Sequence, residues 1–146
     1  MRRLLTIVAL SAAFAGGFVV RGIVPVEPIA HAQAAGRVFE LRTYTTNPGK
    51  LDALHARFRT HTLRIFEKHG MQNVGYFRPM DAPLADNTLV YIIAHKSREA
   101  AKESWSAFGK DPEWQKVSAE SEANGRLLAK APESMFLTAA DYSPMK

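Results

Sequence analysis

The sequence contains no cysteine among its 146 residues. This absence excludes disulfide bonds, thiolate zinc sites, thiol nucleophiles and redox dithiols. The motifs GxGxxG, GxxxxGK[ST], HExxH and GxSxG are also missing, which removes the usual signatures of dinucleotide, nucleotide, zinc-protease and hydrolase sites. The list of candidate nucleophiles is therefore short, and the sequence leaves open whether the protein is an enzyme.

Long runs of one charge are missing as well. The 19 Lys and Arg residues are interspersed with 14 Asp and Glu residues, for a formal net charge of +5. A nucleic-acid surface needs clustered positive charge, so no nucleic-acid partner is predicted. No two histidines lie four residues apart on the first predicted helix, and no metal site is predicted.

The first 35 residues have the order of a secretory signal. Arg2 and Arg3 precede the uncharged segment 4–20, and small residues that suit a signal peptidase follow at 30–34. We expect cleavage near Ala32 or Ala34 and export to a bacterial periplasm or the medium. The alternative is an uncleaved membrane anchor, because segment 4–20 approaches the length that spans a bilayer. Residues 1–35 are thus a signal peptide or anchor with its linker, and residues 36–146 form one domain.

The domain shows alternating strand and helix signals. Residues 37–46 alternate like a strand, and Asn47-Pro48-Gly49 predicts a turn before a helix over about 50–69 that ends at Gly70. On this helix Leu51, Leu54 and Phe58 share an apolar stripe, and Arg57 is expected away from it. Further strands are predicted at 71–80, 88–95 and 134–138, with helices starting after Ser97 and at Asp111-Pro112.

The resulting order β-α-β-β-α-β is that of the ferredoxin-like α+β fold, a four-stranded antiparallel sheet with helices on one face. The third strand, TLVYIIAH, is apolar on both faces. A monomer would therefore expose a large hydrophobic sheet face, which soluble proteins seldom do. Two copies packed sheet to sheet would cover it, so we predict a homodimer, a dimeric α/β barrel.

The segments FELRTYTTNPGKL, EKHGM and DPEW, in this order, resemble the NIPSNAP family, a branch of the dimeric α/β-barrel superfamily. The resemblance covers residues 37–140 and departs at Phe39, where family members typically have tyrosine. It implies a homodimer with a pocket between sheet and helices. Superfamily relatives include cofactor-free oxygenases, haem-using enzymes and isomerases.

We therefore predict an exported homodimer that binds a small, largely apolar or aromatic molecule in a sheet-helix pocket, with no cofactor. The alternative is a cofactor-independent or haem-using monooxygenase or isomerase. Five residues are candidates for the ligand pocket: Tyr76, Tyr91, His61, His95 and Trp105. Tyrosines supply polar tips within apolar walls, and a strand-end histidine can ligate haem or move a proton. For each of the five the alternative, which residues of these types adopt more often, is an ordinary core or rim position.

Glu40, Arg42 and Tyr44 lie on one side of the first strand, because they are two residues apart. They face either the dimer partner or the pocket. In both cases the acid and the base need partners if they are buried. A catalytic role is the third and sharpest alternative for this row.

Overall fold

The computed structural model describes residues 37–146. The predicted export signal and its cleavage site lie outside these residues. Over 37–146 no helix has the length and apolar character needed to cross a bilayer. The elements in chain order are β1 (Val38–Thr45), α1 (Leu51–Arg57), a π-helical turn (Phe58–Thr62), α2 (Leu63–Lys68), β2 (Gln72–Phe77), a 3-10 turn (Leu84–Asp86), β3 (Thr88–His95), α3 (Arg98–Lys110), α4 (Pro112–Ser121) and β4 (Glu133–Leu137).

The four strands form one antiparallel sheet in the order β2-β3-β1-β4. β1 and β3 occupy the centre, where Glu40 lies opposite Ile93, Arg42 opposite Tyr91, and Tyr44 opposite Leu89. This order, with helices between the first and second and between the third and fourth strands, confirms the predicted ferredoxin-like α+β fold. The predicted bounds of β3 agree with the structure at both ends.

The first helix begins at Leu51 and runs without a break through α1, the π-helical turn and α2. Its buried side chains include Leu51, Leu54, Phe58 and Ile65, as the predicted apolar stripe requires. Gly70 ends it with φ +75°, a conformation that glycine adopts without steric cost. The π-helical turn was not predicted, because its side chains fit an ordinary helix equally well.

Side-chain caps begin both later helices. Ser97 Oγ accepts a hydrogen bond from the Ala100 amide at 3.1 Å, and Asp111 Oδ1 accepts one from the Glu113 amide at 2.8 Å. The other oxygen of Asp111 lies 2.7 Å from Lys68 Nζ and 2.6 Å from His69 Nε2 at the end of α2. Asp111 thus starts α4 and also ties it to the first helix.

The core lies between the helices and one face of the sheet. Aromatic rings fill it, with Phe58 at 5.8 Å from Tyr44, 5.2 Å from Tyr91 and 6.1 Å from Phe66 between ring centroids. Such edge-to-face contacts add to the energy of burial. The opposite sheet face carries Leu41, Ile92, Phe77 and Met135, and has no helix over it in the described residues. Phe77 and Met135 remain 54% and 58% exposed.

Candidate functional site

Glu40 is the centre of a buried polar network. Its carboxylate accepts hydrogen bonds from Arg42 Nη1 at 2.7 Å, His95 Nε2 at 2.9 Å, Trp105 Nε1 at 2.7 Å and Ser134 Oγ at 2.6 Å. An ionised carboxylate only accepts, so all four groups donate to it. The donors come from β1, β3, α3 and β4, which means that the network forms only when the whole sheet and α3 are assembled.

The network keeps Glu40 ionised although the residue is only 1% exposed. Burial by itself raises the pKa of this carboxyl, but the hydrogen bonds from His95, Ser134, Trp105 and Arg42 outweigh it and lower the pKa to about 2. His95 has no hydrogen-bond partner on Nδ1 among the described residues. Its ring is held by the hydrogen bond at Nε2 and by packing near Phe136, at 6.2 Å between ring centroids.

The structure decides between the two positions predicted for Glu40, Arg42 and Tyr44. All three lie on the helix-covered side of the sheet, since Glu40 bonds to Trp105 of α3 and Tyr44 packs against Phe58. The row therefore faces the helices of its own subunit. The reason is the register of β1 against β3, which places the even-numbered side chains of β1 on the same face as Leu89, Tyr91 and Ile93.

Tyr44 and Tyr91 form a second buried polar pair beside this network. The Tyr91 hydroxyl donates to the Tyr44 hydroxyl at 3.0 Å. Burial raises the pKa of Tyr91 well above its usual value, so its hydroxyl stays protonated. Tyr76 stacks on Tyr91 at 5.3 Å between centroids and donates to Asn73, and burial raises its pKa also. The three tyrosines thus lie together in the layer between sheet and helices.

Arg42 connects the carboxylate network to the aromatic layer. Its guanidinium carbon lies 4.2 Å from the centroid of the Trp105 ring and 5.6 Å from that of Tyr44. Four of the five predicted pocket residues, Tyr76, Tyr91, His95 and Trp105, therefore surround the same layer as Glu40, Arg42 and Tyr44. Their side chains fill this layer by packing on one another.

His61, the fifth predicted pocket residue, lies elsewhere. It is exposed on the π-helical turn and lines a groove of about 330 Å³ between the first helix and α4. Ala53, Ala56 and Val117 supply apolar walls, and polar groups come from residues such as Thr60. The groove is separate from the Glu40 network and lies between two helices, whereas the prediction placed the pocket between the helices and the sheet.

Arg57 is the residue of this groove that sequence analysis missed. It was expected away from the apolar stripe, but α4 packs over it and leaves its side chain 4% exposed. Its guanidinium carbon lies 5.1 Å from the centroid of the Trp114 ring. A signal was available in Ala53 and Ala56, because small residues on a helix let a second helix approach closely.

No group of three or more histidine or acidic side chains within residues 37–146 is arranged to hold a metal ion.

A helix-covered antiparallel sheet with strand order β2-β3-β1-β4 and an aromatic layer beneath the helices defines a class: the subunit fold of the dimeric α/β-barrel proteins. Within that class the chain belongs to the NIPSNAP family, whose family model matches residues 39–144. The predicted family is thereby confirmed. No match was found among curated proteins.

Solved structures support the same fold. A NIPSNAP family protein of unknown function from Agrobacterium tumefaciens is 24% identical, with a TM-score of 0.66 over 77% of this chain and 96% of that chain. A monooxygenase from Streptomyces coelicolor, in complex with nanaomycin D, is 14% identical, with a TM-score of 0.54 over 77% and 95% of the two chains. SnoaB, a cofactor-independent oxygenase from Streptomyces nogalater, is 17% identical, with a TM-score of 0.51 over 75% and 99%.

Proposed function

We propose that the protein is an exported homodimer that binds a small, largely apolar molecule in the groove between the first helix and α4. The observation that carries this function is the groove itself. Its volume of about 330 Å³ is within the range of small-molecule sites, about 300 to 1,000 Å³. Ala53, Ala56 and Val117 supply methyl-bearing walls for an apolar ligand. The polar side chains that line the rest of the groove are Arg57, Thr60, His61, Glu120 and Ser121.

The π-helical turn beside the groove supports this placement. A π-helical turn widens a helix by one residue, costs hydrogen-bond geometry and occurs frequently at functional sites. Here it spans Phe58–Thr62 and brings Thr60 and His61 to the groove. Phe58 of the same turn reaches the opposite side and packs in the aromatic core.

Binding is tested by a nuclear magnetic resonance screen of the purified protein against small aromatic acids, alcohols and amines. We expect at least one class to shift the backbone amide signals of Ala53, Ala56 and Ser121 in a saturable manner. The backbone amide signals of β4, which is an edge strand of the sheet, provide the internal control. If no compound shifts the groove signals at millimolar concentration, the binding function is wrong.

Dimerisation would cover the helix-free sheet face. Leu41 and Ile92 lie at its centre, and the exposed ring of Phe77 lies on this face above Gly75. A side chain on residue 75 would come within 2.7 Å of that ring, so glycine allows the ring to lie flat against the sheet. A flat apolar face of this kind suits the same face of a second copy.

Light scattering tests the dimer. We expect about twice the monomer mass at micromolar concentration, and a shift toward monomer in the Phe77→Asp variant. Leu84→Asp is the matched control, because Leu84 is also 54% exposed but lies in the 3-10 turn. A monomeric wild-type protein at this concentration contradicts the proposed assembly.

Export rests on the sequence of residues 1–35. Mass spectrometry of protein recovered from the periplasm or medium should find a chain that begins just after Ala32 or Ala34. An intact N-terminus in the membrane fraction would instead establish the anchor.

An oxygenase is the second candidate function. It is favoured by the buried hydroxyl pair Tyr44 and Tyr91, which provides protonated donors in an apolar layer, and by the fold that the chain shares with two oxygenases. Haem titration of the purified protein distinguishes a haem-using oxygenase from a cofactor-independent one. A saturable Soret shift that weakens in the His95→Ala variant supports haem use, and an unchanged Soret band excludes the haem version.

A further inference from the structure

Arg57 is a buried cation with too few partners. Its guanidinium has five N–H donors, and a buried charge is stable only when it is paired and hydrogen-bonded. Among the described residues, Arg57 makes one side-chain hydrogen bond, from Nη1 to Ser121 Oγ at 3.3 Å. Its Nε is buried and has no acceptor there. Arg42, a half-buried arginine on the helix side of the sheet, also has no acceptor for Nε among these residues, but its Nη1 reaches the Glu40 carboxylate at 2.7 Å.

Glu122 is the carboxylate that pairs with Arg57 in the described residues, and it pairs poorly. The Oε1 of Glu122 lies 3.6 Å from Arg57 Nη1, beyond a direct hydrogen bond, and its side chain is 33% exposed. Glu120 also lines the groove, but its side chain is 66% exposed and its Oε1 lies 3.9 Å from Lys116 Nζ. Glu122 also follows the last residue of α4, where the partial negative charge of the helix end repels a carboxylate. An incoming anion could therefore replace Glu122 at little cost.

The surroundings of Arg57 favour an anion that carries an apolar group. The Trp114 ring lies against the guanidinium, and Tyr44 and Tyr91 are close enough to affect its electrostatics. Burial lowers the pKa of Arg57, with these tyrosines and Glu122 opposing the effect, yet an arginine stays charged at neutral pH. Ala53, Ala56 and Val117 provide apolar contacts along the rest of the groove.

We propose that the groove binds a small apolar carboxylic acid, such as an aromatic acid, whose carboxylate pairs with Arg57 and takes the place of Glu122. This inference rests on the proposed binding function and specifies the ligand class for the same groove. Arg57 provides the anion contact, and the alanines and Val117 contact the apolar body. Pairing of a guanidinium with a carboxylate gives a strong, geometrically defined contact.

A matched pair of probes tests the proposal: 2-naphthoate and its neutral counterpart 2-naphthalenemethanol. Both have the same apolar body, and they differ in charge. Titrations at pH 7 follow the backbone amides of the groove and the Nε–H signal of Arg57. We expect 2-naphthoate to bind at least about tenfold more tightly than the alcohol, the lower limit for a hydrogen bond to a charged group. The Arg57 Nε–H signal should move with the acid and stay in place with the alcohol.

Three variants separate the contribution of Arg57 from a general effect of charge. Arg57→Gln should reduce the preference for the acid to less than about twofold. Glu122→Gln should raise the affinity for the acid about threefold to tenfold, because it removes a competing negative charge. Arg64→Gln is the control, since Arg64 is 60% exposed and pairs with Glu113 away from the groove, and it should leave both affinities unchanged. Glu122→Gln keeps the test valid if Arg57→Gln fails to fold.

Equal binding of the two probes in the wild-type protein overturns the inference and leaves the binding function standing. A fall in affinity for the acid in Glu122→Gln also overturns it, because Glu122 would then be part of the site. If neither probe shifts the groove signals at millimolar concentration, the inference fails, and the wider screen of acids, alcohols and amines decides the binding function.

Discussion

Replacement of Glu40 by glutamine should remove a pH-dependent part of the protein's stability. The folded protein lowers the pKa of this carboxyl from its ordinary 4.5 to about 2, a fall of about 2.5 pH units. Each unit corresponds to about 1.4 kcal/mol, so the ionised carboxylate contributes about 3 kcal/mol to the free energy of unfolding. Glutamine keeps the shape of the side chain and loses the charge.

The direction in which stability changes with pH follows from the direction of the change in pKa. A carboxyl whose folded pKa is lowered stabilises the protein fully above its unfolded pKa, near 4.5, and loses this contribution as pH falls toward 2. From these two values, about 2 kcal/mol of the contribution should be lost between pH 6 and pH 3. The Glu40→Gln variant lacks this contribution at every pH.

Urea denaturation at pH 6, 5, 4 and 3 measures the effect. At pH 6 we expect the variant to be about 3 kcal/mol less stable, because His95 and Arg42 lose their ionised acceptor. The difference from wild type should narrow to about 1 kcal/mol at pH 3. Glu113→Gln is the control, because Glu113 pairs with the exposed Arg64 and lies outside the network. Stability curves that stay parallel for wild type and Glu40→Gln from pH 6 to pH 3 would refute the reasoning.

Three further predictions concern packing and backbone conformation. Trp114→Ala should cost about 3 kcal/mol in denaturation, because the ring packs on Phe108 at 4.3 Å between centroids, and a cost below 1 kcal/mol would contradict its role as an anchor. Gly70→Ala should destabilise by about 1 kcal/mol because φ is +75°, whereas Gly109→Ala within α3 should be neutral or stabilising; equal effects would contradict the conformational argument. Tyr44→Phe should cost about 1 to 3 kcal/mol because it leaves the buried Tyr91 hydroxyl without its acceptor, and a neutral result would show that another acceptor replaces it.

Local signals were sufficient to predict most of the fold. Alternation in β1 and β3, the serine and aspartate caps of α3 and α4, and the glycine after α2 each act within a few residues of the chain. The predicted β-α-β-β-α-β order followed from these elements in sequence. The π-helical turn was not predictable, because the residues Phe58–Thr62 carry no local signal that distinguishes it from an ordinary helical turn.

The candidate site was predictable only in part. Spacing showed that Glu40, Arg42 and Tyr44 share one side of β1, and the choice of tyrosines on the central strands selected residues that do meet in the aromatic layer. The sequence did not show that His95 and Trp105 would share the Glu40 carboxylate, because they lie 55 and 65 residues away along the chain. Distant partners of this kind depend on strand register and helix packing.

What the sequence by itself determined is the set of elements, their order and the family, because caps, turns and hydrophobic periods are local properties of the chain. The tertiary structure decided which face of β1 meets the helices, and with it the ionised state of Glu40. It also decided that Arg57 is buried, since a helix surface is exposed until another helix covers it. The burial of a charge is a property of the assembled fold. Both the Glu40 network and the Arg57 groove therefore form only when the helices pack on the sheet and on one another.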